Sequence, residues 1–112
     1  MKKSIELLEV GFESSSEKTQ EFTNFLKTFK KEFTAELKAV GAESIKIEKG
    51  HFCISGFFTV NGKAFYFSIS DVRWIGKEPN MLYRTARDYK DFTGGSNQYV
   101  TIKSGMAKEM NL

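Results

Sequence analysis

An Asn-Gly pair, Asn61-Gly62, separates two runs of alternating side chains. Asn-Gly accepts positive φ at both positions, which is what a type I′ hairpin turn requires. The turn therefore predicts a β-hairpin whose register follows by counting outward, and residues on one face of that hairpin should form its buried side. The predicted pairs on this face are Phe58 with Phe65, Gly56 with Phe67, and Ile54 with Ile69.

A second pattern predicts one long helix over residues 15–40. Ser14-x-x-Glu17 has the spacing of a capping box, and Gly41 is suited to end the helix. Apolar residues recur between them at steps of three and four, which is one face of an amphipathic helix. This apolar stripe contains Phe22, Phe25, Leu26, Phe29, Phe33, Leu37 and Val40. We expect Phe25, Phe29 and Phe33 to bury the hairpin face.

Other segments complete an α+β prediction. The predicted architecture is one long N-terminal amphipathic helix packed on a four- to five-stranded antiparallel sheet, in a single domain of residues 1–112. Residues 1–12 fit either a helix or a strand, and residues 105–112 fit a short helix or a frayed tail. Further strands are predicted over residues 43–50, 81–87 and 98–103.

The amino-acid composition constrains the cellular location and the partners of this protein. Cys53 is the one cysteine, so no internal disulfide forms, and this fits a reducing cytoplasm. No apolar run is long enough to span a membrane, and Glu6 and Glu9 argue against an export signal. The net charge of +3 lies entirely in residues 63–112, so an anionic partner would meet the second half of the chain.

The residues suited to specific contacts are concentrated in one window. All three arginines and all three aspartates fall within residues 71–91, together with the single tryptophan. A guanidinium is a planar set of donors, and aromatic faces can stack, so this composition indicates a binding surface for an anion, a base or a protein. Amides of the Gly94-Gly95 turn were candidate extra donors. The predicted binding residues are Arg73, Trp74, Tyr83, Arg84, Arg87, Tyr89, Lys90 and Asn97.

Two alternatives compete with recognition. Arginine and aspartate could instead pair with each other and hold two loops in place, with Arg73 and Arg84 on Asp71 and Asp88. Three aspartates could also bind a divalent metal for hydrolysis, but their spacing matches no nuclease pattern. His51 and Cys53 supply only two of the four ligands that zinc requires. We predict no enzyme activity, no metal and no cofactor.

Four segments resemble small, mostly uncharacterised proteins of bacterial phages and mobile elements. They are ISGFF (54–58), YFSISDVR (66–73), LYRTA (82–86) and KDFTGGSN (90–97), and the resemblance covers about residues 43–103. It implies an origin in a mobile element and a location in the cytoplasm of the host bacterium. It also implies a protein that binds nucleic acid, or that binds and blocks a host complex.

These observations predict an accessory protein that binds and inhibits or modulates a host nucleic-acid-directed machine, such as a CRISPR or other defence effector. The alternative is direct binding of single-stranded or structured DNA or RNA, and a second alternative is a small metal-dependent hydrolase. The small net charge favours a protein partner or a nucleoprotein complex over bare nucleic acid.

Overall fold

The chain folds into a six-stranded antiparallel sheet with helices, in a computed structural model that describes residues 2–10, 19–50, 53–69, 80–88, 91–102 and 106–110. This confirms the predicted α+β class. In chain order the elements are α1 (Lys2–Val10), α2 (Thr19–Ala39), β1 (Glu43–Lys49), β2 (Ile54–Val60), β3 (Lys63–Ile69), β4 (Asn80–Asp88), β5 (Asp91–Gly94), β6 (Gln98–Thr101) and α3 (Met106–Glu109).

The sheet runs in the order β1-β2-β3-β4-β5, with β6 also paired to β4. β5 pairs with the end of β4 at Ala86 and Asp88, whereas β6 pairs with its start at residues 80–83. The two short strands β5 and β6 therefore share the edge of the sheet next to β4. The prediction of four to five strands missed β5, since the sequence pattern of residues 91–94 reads as a loop.

The central hairpin has the predicted register. Phe58 pairs with Phe65, and Gly56 pairs with Phe67. Asn61 and Gly62 have φ values of 50° and 80°, as a type I′ turn requires. Phe67 is fully buried, whereas Phe65 is only half-buried and stacks on Phe58 with 5.3 Å between ring centroids. The buried face thus lies where the turn places it.

The aromatic stripe of α2 covers this face. Phe25, Phe29 and Phe33 are completely buried in the same cluster as Phe58 and Phe67. The Phe33 ring meets the Phe67 ring edge to face at 5.2 Å and 88°. Such pairs add about 0.5–1.5 kcal/mol beyond the area that they bury.

Gly41 ends α2 as predicted. Its φ is +88°, its amide donates to the Lys38 carbonyl at 3.0 Å, and the Ala42 amide donates to the Leu37 carbonyl at 2.9 Å. These two bonds define a Schellman motif, whose apolar contact is supplied by the buried pair Leu37 and Ala42. The chain reverses here, so β1 runs back along α2.

The long helix is not N-terminal, which corrects the predicted architecture. α1 precedes it, and the ambiguous segment 1–12 therefore contains a helix. The predicted start of α2, including the capping box at Ser14, lies outside the described residues. Ile5 and Leu7 of α1 are half-buried and pack against the core.

Glu32 of α2 caps the beginning of α1. Its carboxylate accepts bonds from the Lys3 amide at 3.2 Å, the Ser4 amide at 2.8 Å and the Ser4 hydroxyl at 2.6 Å. Partial burial alone would raise the pKa of Glu32, but the bonds from Ser4 and Lys3 outweigh it, so the pKa lies below its ordinary value of 4.5. The cap comes from 28 residues away, which local sequence patterns do not reveal.

One turn further along α2, the Glu36 carboxylate accepts a hydrogen bond from the Ala107 amide at the start of α3, at 3.4 Å. Met106 and Ala107 are buried against the core. α2 therefore anchors a helix at each end of the described chain. None of the helices in the described residues is long and apolar enough to span a membrane.

Substitution of Phe67 by alanine should lower the free energy of unfolding by about 3–5 kcal/mol, because it removes a fully buried ring and leaves a cavity beneath α2. Urea denaturation followed by circular dichroism measures this change. The matched control is Tyr99→Ala, since the Tyr99 side chain is 64% exposed and its loss should change stability by less than about 0.5 kcal/mol. Equal losses in the two variants would contradict the assigned core.

Substitution of Glu32 by glutamine should destabilise the protein by about 0.5–2 kcal/mol at neutral pH, as expected for a lost helix cap. Because the folded pKa is lowered, the carboxylate stabilises the fold above pH 4.5 and this contribution disappears as the pH falls through the lowered pKa. The stability difference between wild type and variant should therefore shrink on acidification. Glu6→Gln, a change at an exposed position of α1, is the control and should change stability by less than about 0.5 kcal/mol.

Candidate functional site

The face of the sheet opposite α2, here called the outer face, carries the best-defined polar cluster among the described residues. Strand alternation and register place Lys46 of β1, Phe57 of β2, Tyr66 of β3 and Arg84 of β4 in one row across the sheet, in which Phe57 is apolar and buried. The adjacent row contains Glu48, Ser55, Ser68, Leu82 and Tyr99.

Contacts with Tyr66 and Asn97 hold Arg84 in this row. Its guanidinium carbon lies 4.9 Å from the centroid of the Tyr66 ring, and its Nη1 donates to Asn97 Oδ1 at 3.0 Å. The side chain is half-buried, so these contacts orient a charge that still reaches the surface. A cation over an aromatic ring contributes about 0.5–1 kcal/mol at an exposed site.

Two of the predicted binding residues, Arg84 and Asn97, are therefore brought together. Asn97 lies in the segment between β5 and β6, directly beside the row. Tyr66 was not among the predicted site residues, although it follows from the hairpin register that Tyr66 and Phe57 share the outer face. Tyr66 pairs with Arg84 of β4, and this pairing between β3 and β4 is not encoded in a short connecting turn.

Tyr83 and Arg87 do not share this face. Arg84 and Arg87 are three positions apart on β4, and side chains alternate with a period of two, so they point to opposite faces. Tyr83 pairs with Phe67 and packs against the core, while Arg87 is exposed. The membership of Tyr83 and Arg87 in the binding site therefore rests on residue type alone and stays a prediction.

The other predicted binding residues cannot be placed. Arg73, Trp74, Tyr89 and Lys90 lie outside the described residues, as does Asp71. Their assignment to the site remains a prediction. Pairing of Arg73 with Asp71 and pairing of Arg84 with Asp88 likewise stay predictions.

The Gly94-Gly95 turn has a structural use that the sequence analysis did not foresee. The Gly95 amide donates to the Thr85 carbonyl and to Thr85 Oγ1, both at 3.1 Å. A Cβ on Gly94 would overlap the Thr85 carbonyl, so glycine permits the close approach of this turn to β4. The Gly95 amide is thus committed within the fold and is not available as an anion donor.

Among the described residues, charge on the outer face is balanced. Lys46 and Arg84 are basic, and Glu48 and Asp88 lie on the same face by strand alternation. Tyr99 is the one large apolar side chain that is exposed among the described residues, at 64% of its surface. The face therefore offers oriented arginine and tyrosine groups without a strong field of one sign.

In the described part of the chain, no three histidine, cysteine, aspartate or glutamate side chains come together as a metal-ligand group. Cys53 is a free, half-buried thiol at the start of β2, and His51 lies outside the described residues. No family model, no curated protein and no solved structure matches this chain.

The contacts of Arg84 predict coupled stability effects. Arg84→Ala should lower the free energy of unfolding by about 1 kcal/mol, because it removes the Tyr66 contact and the Asn97 hydrogen bond. Asn97→Ala should cost less, and the double variant should cost less than the sum of the two. Urea denaturation of all three variants provides the double-mutant cycle. Strict additivity would show that the Arg84–Asn97 bond contributes nothing to stability.

Proposed function

We propose that this protein is a non-enzymatic binding protein that docks on a macromolecular partner through its outer face. The supporting observation is the arginine held between Tyr66 and Asn97, with the exposed Tyr99 on the next row of the same face. Tyrosine and arginine are the side chains that most often dominate binding energy at interfaces. Because Arg84 is already oriented, less side-chain entropy is lost when a partner binds.

The proposed partner is a host nucleic-acid-directed machine, such as a CRISPR or other defence effector, which the protein would inhibit or modulate in the host bacterial cytoplasm. This choice draws on the resemblance of residues 43–103 to small proteins of phages and mobile elements. The balanced charges of the outer face support a protein surface of that machine as the contact, since a nucleic-acid contact surface is normally strongly basic.

Direct binding of single-stranded nucleic acid is the second candidate, and Tyr99 is the observation that favours it. An exposed tyrosine on a sheet beside an arginine–tyrosine stack could provide a platform for bases. Nucleic-acid affinity should then fall steeply with salt through counterion release. A protein that docks on a protein partner would show no such affinity for bare DNA or RNA.

Substitution of Tyr99 by alanine should weaken partner binding by about 1–3 kcal/mol while leaving the melting temperature unchanged, because Tyr99 contributes contact area only in the complex. Arg84→Ala should weaken binding similarly, with a modest loss of stability as well. Arg87→Ala is the matched arginine control on the other face of β4 and should leave binding intact.

The experiment first captures the partner by affinity purification from infected or element-bearing cells with mass spectrometry. It then measures affinities of the three variants for that partner by calorimetry. If Arg87→Ala abolishes binding while Tyr99→Ala does not, the interface lies on the opposite face and the proposal is wrong. Salt-dependent binding of a fluorescent oligonucleotide, lost in Tyr99→Ala, would select the nucleic-acid alternative.

A further inference from the structure

β1 lies at one edge of the sheet formed by the described strands. Of the described strands, only β2 pairs with it. A strand in this position has one row of backbone N–H and C=O groups that face away from the sheet, and an added extended chain can bond to such a row.

A groove of about 290 Å³ lies alongside this edge, between β1 and α2. Its apolar part is formed by Ala42, Ile45 and Ile47. One wall is a single line of α2, formed by Lys30, Thr34 and Lys38 at successive steps of four residues. The groove exists because the Schellman turn at Gly41 sends β1 back along the helix.

The two lysines of the wall are exposed and have a useful spacing. Lys30 and Lys38 are eight positions apart on the helix, which is about 12 Å along its axis. In an extended chain, positions i and i+4 lie on the same face and about 13 Å apart. The distance between the two lysines therefore matches the distance between side chains i and i+4 of a strand lying beside β1. The side chain at position i+2 would contact the apolar part of the groove.

We propose that this groove and edge bind an extended acidic peptide segment of a partner protein, which adds a strand to the sheet at β1. The segment has the pattern acidic–x–apolar–x–acidic. Its carboxylates would pair with Lys30 and Lys38, and its central apolar side chain would lie against Ile45 and Ile47. This surface is separate from the outer face.

The end of the groove near Lys38 contains an acidic side chain and an irregular part of β1. Glu43 also lines it, and Ser44 has a φ of +53° at the bulge where β1 shifts register against β2. Regular strand geometry in β1 therefore begins after Ser44, so the added strand would pair with residues 45–49. Glu43 would repel a carboxylate at this end.

The test uses the full protein and a fluorescent seven-residue probe, threonine throughout except for glutamate at positions two and six and isoleucine at position four. Fluorescence anisotropy should detect saturable binding. Charge reversal in Lys30→Glu/Lys38→Glu should weaken binding about tenfold or more. Lys27→Glu/Lys31→Glu, an equal charge change at two exposed lysines of α2 that do not line the groove, should change it far less, and Glu43→Gln should tighten it about twofold.

Two probe controls separate strand addition from simple charge attraction. Moving the second glutamate to position five places the acids on opposite faces and should weaken binding. N-methylation at odd positions and at even positions should give unequal losses, because only alternate amides of an added strand bond to β1. The proposal is overturned if the probe does not bind at millimolar concentration, if Lys27→Glu/Lys31→Glu weakens binding as much as Lys30→Glu/Lys38→Glu, or if both methylation patterns bind equally.

Discussion

The contact between Phe33 of α2 and Phe67 of β3 is the packing arrangement on which the other elements depend. Phe67 can lie flat across the sheet because its neighbour on β2 is Gly56, where a Cβ would overlap the Phe67 ring and the Lys46 carbonyl. With α2 packed on the sheet in this position, its Glu32 and Glu36 side chains accept hydrogen bonds from the first turns of α1 and α3. The turn at Gly41 then directs β1 along the same helix. A substitution at Gly56 that displaces α2 would therefore also displace α1 and α3.

The parts of this fold that sequence predicts are those determined by neighbouring residues. Asn61-Gly62 specifies its turn and register locally, and Gly41 ends α2 because of its own φ. The parts that were missed depend on distant partners: α1 on a carboxylate 28 residues away, and the Gly94-Gly95 turn on Thr85. For the candidate site, residue type alone predicts Arg84 and Asn97 as binding residues. The hydrogen bond between them depends on the tertiary structure. Strand alternation separates Arg84 from Arg87 on β4, whereas residue type groups the two arginines together.

The two proposed surfaces differ in what holds their functional groups. On the outer face, Arg84 is oriented by an aromatic ring and an amide, and its environment carries charges of both signs. Beside β1, Lys30 and Lys38 are exposed on long flexible stems, and the order is supplied by the helix spacing and by the strand edge. The first arrangement suits a rigid, shape-matched partner. The second suits a flexible chain that becomes ordered only when it binds.

The meander of β1 to β4 has a consequence for how quickly the protein reaches its native state. Each of these strands pairs with the strand that precedes it in the chain, and the β2–β3 connection is only two residues long. Loop closure between such neighbours is cheap in entropy, and a hairpin of this kind forms in about 1–10 μs. The β2–β3 hairpin can therefore present its apolar face before the rest of the sheet exists. A helix that precedes it in the chain would then dock on a surface that is already assembled, and the transition state for folding would be centred on residues 54–69.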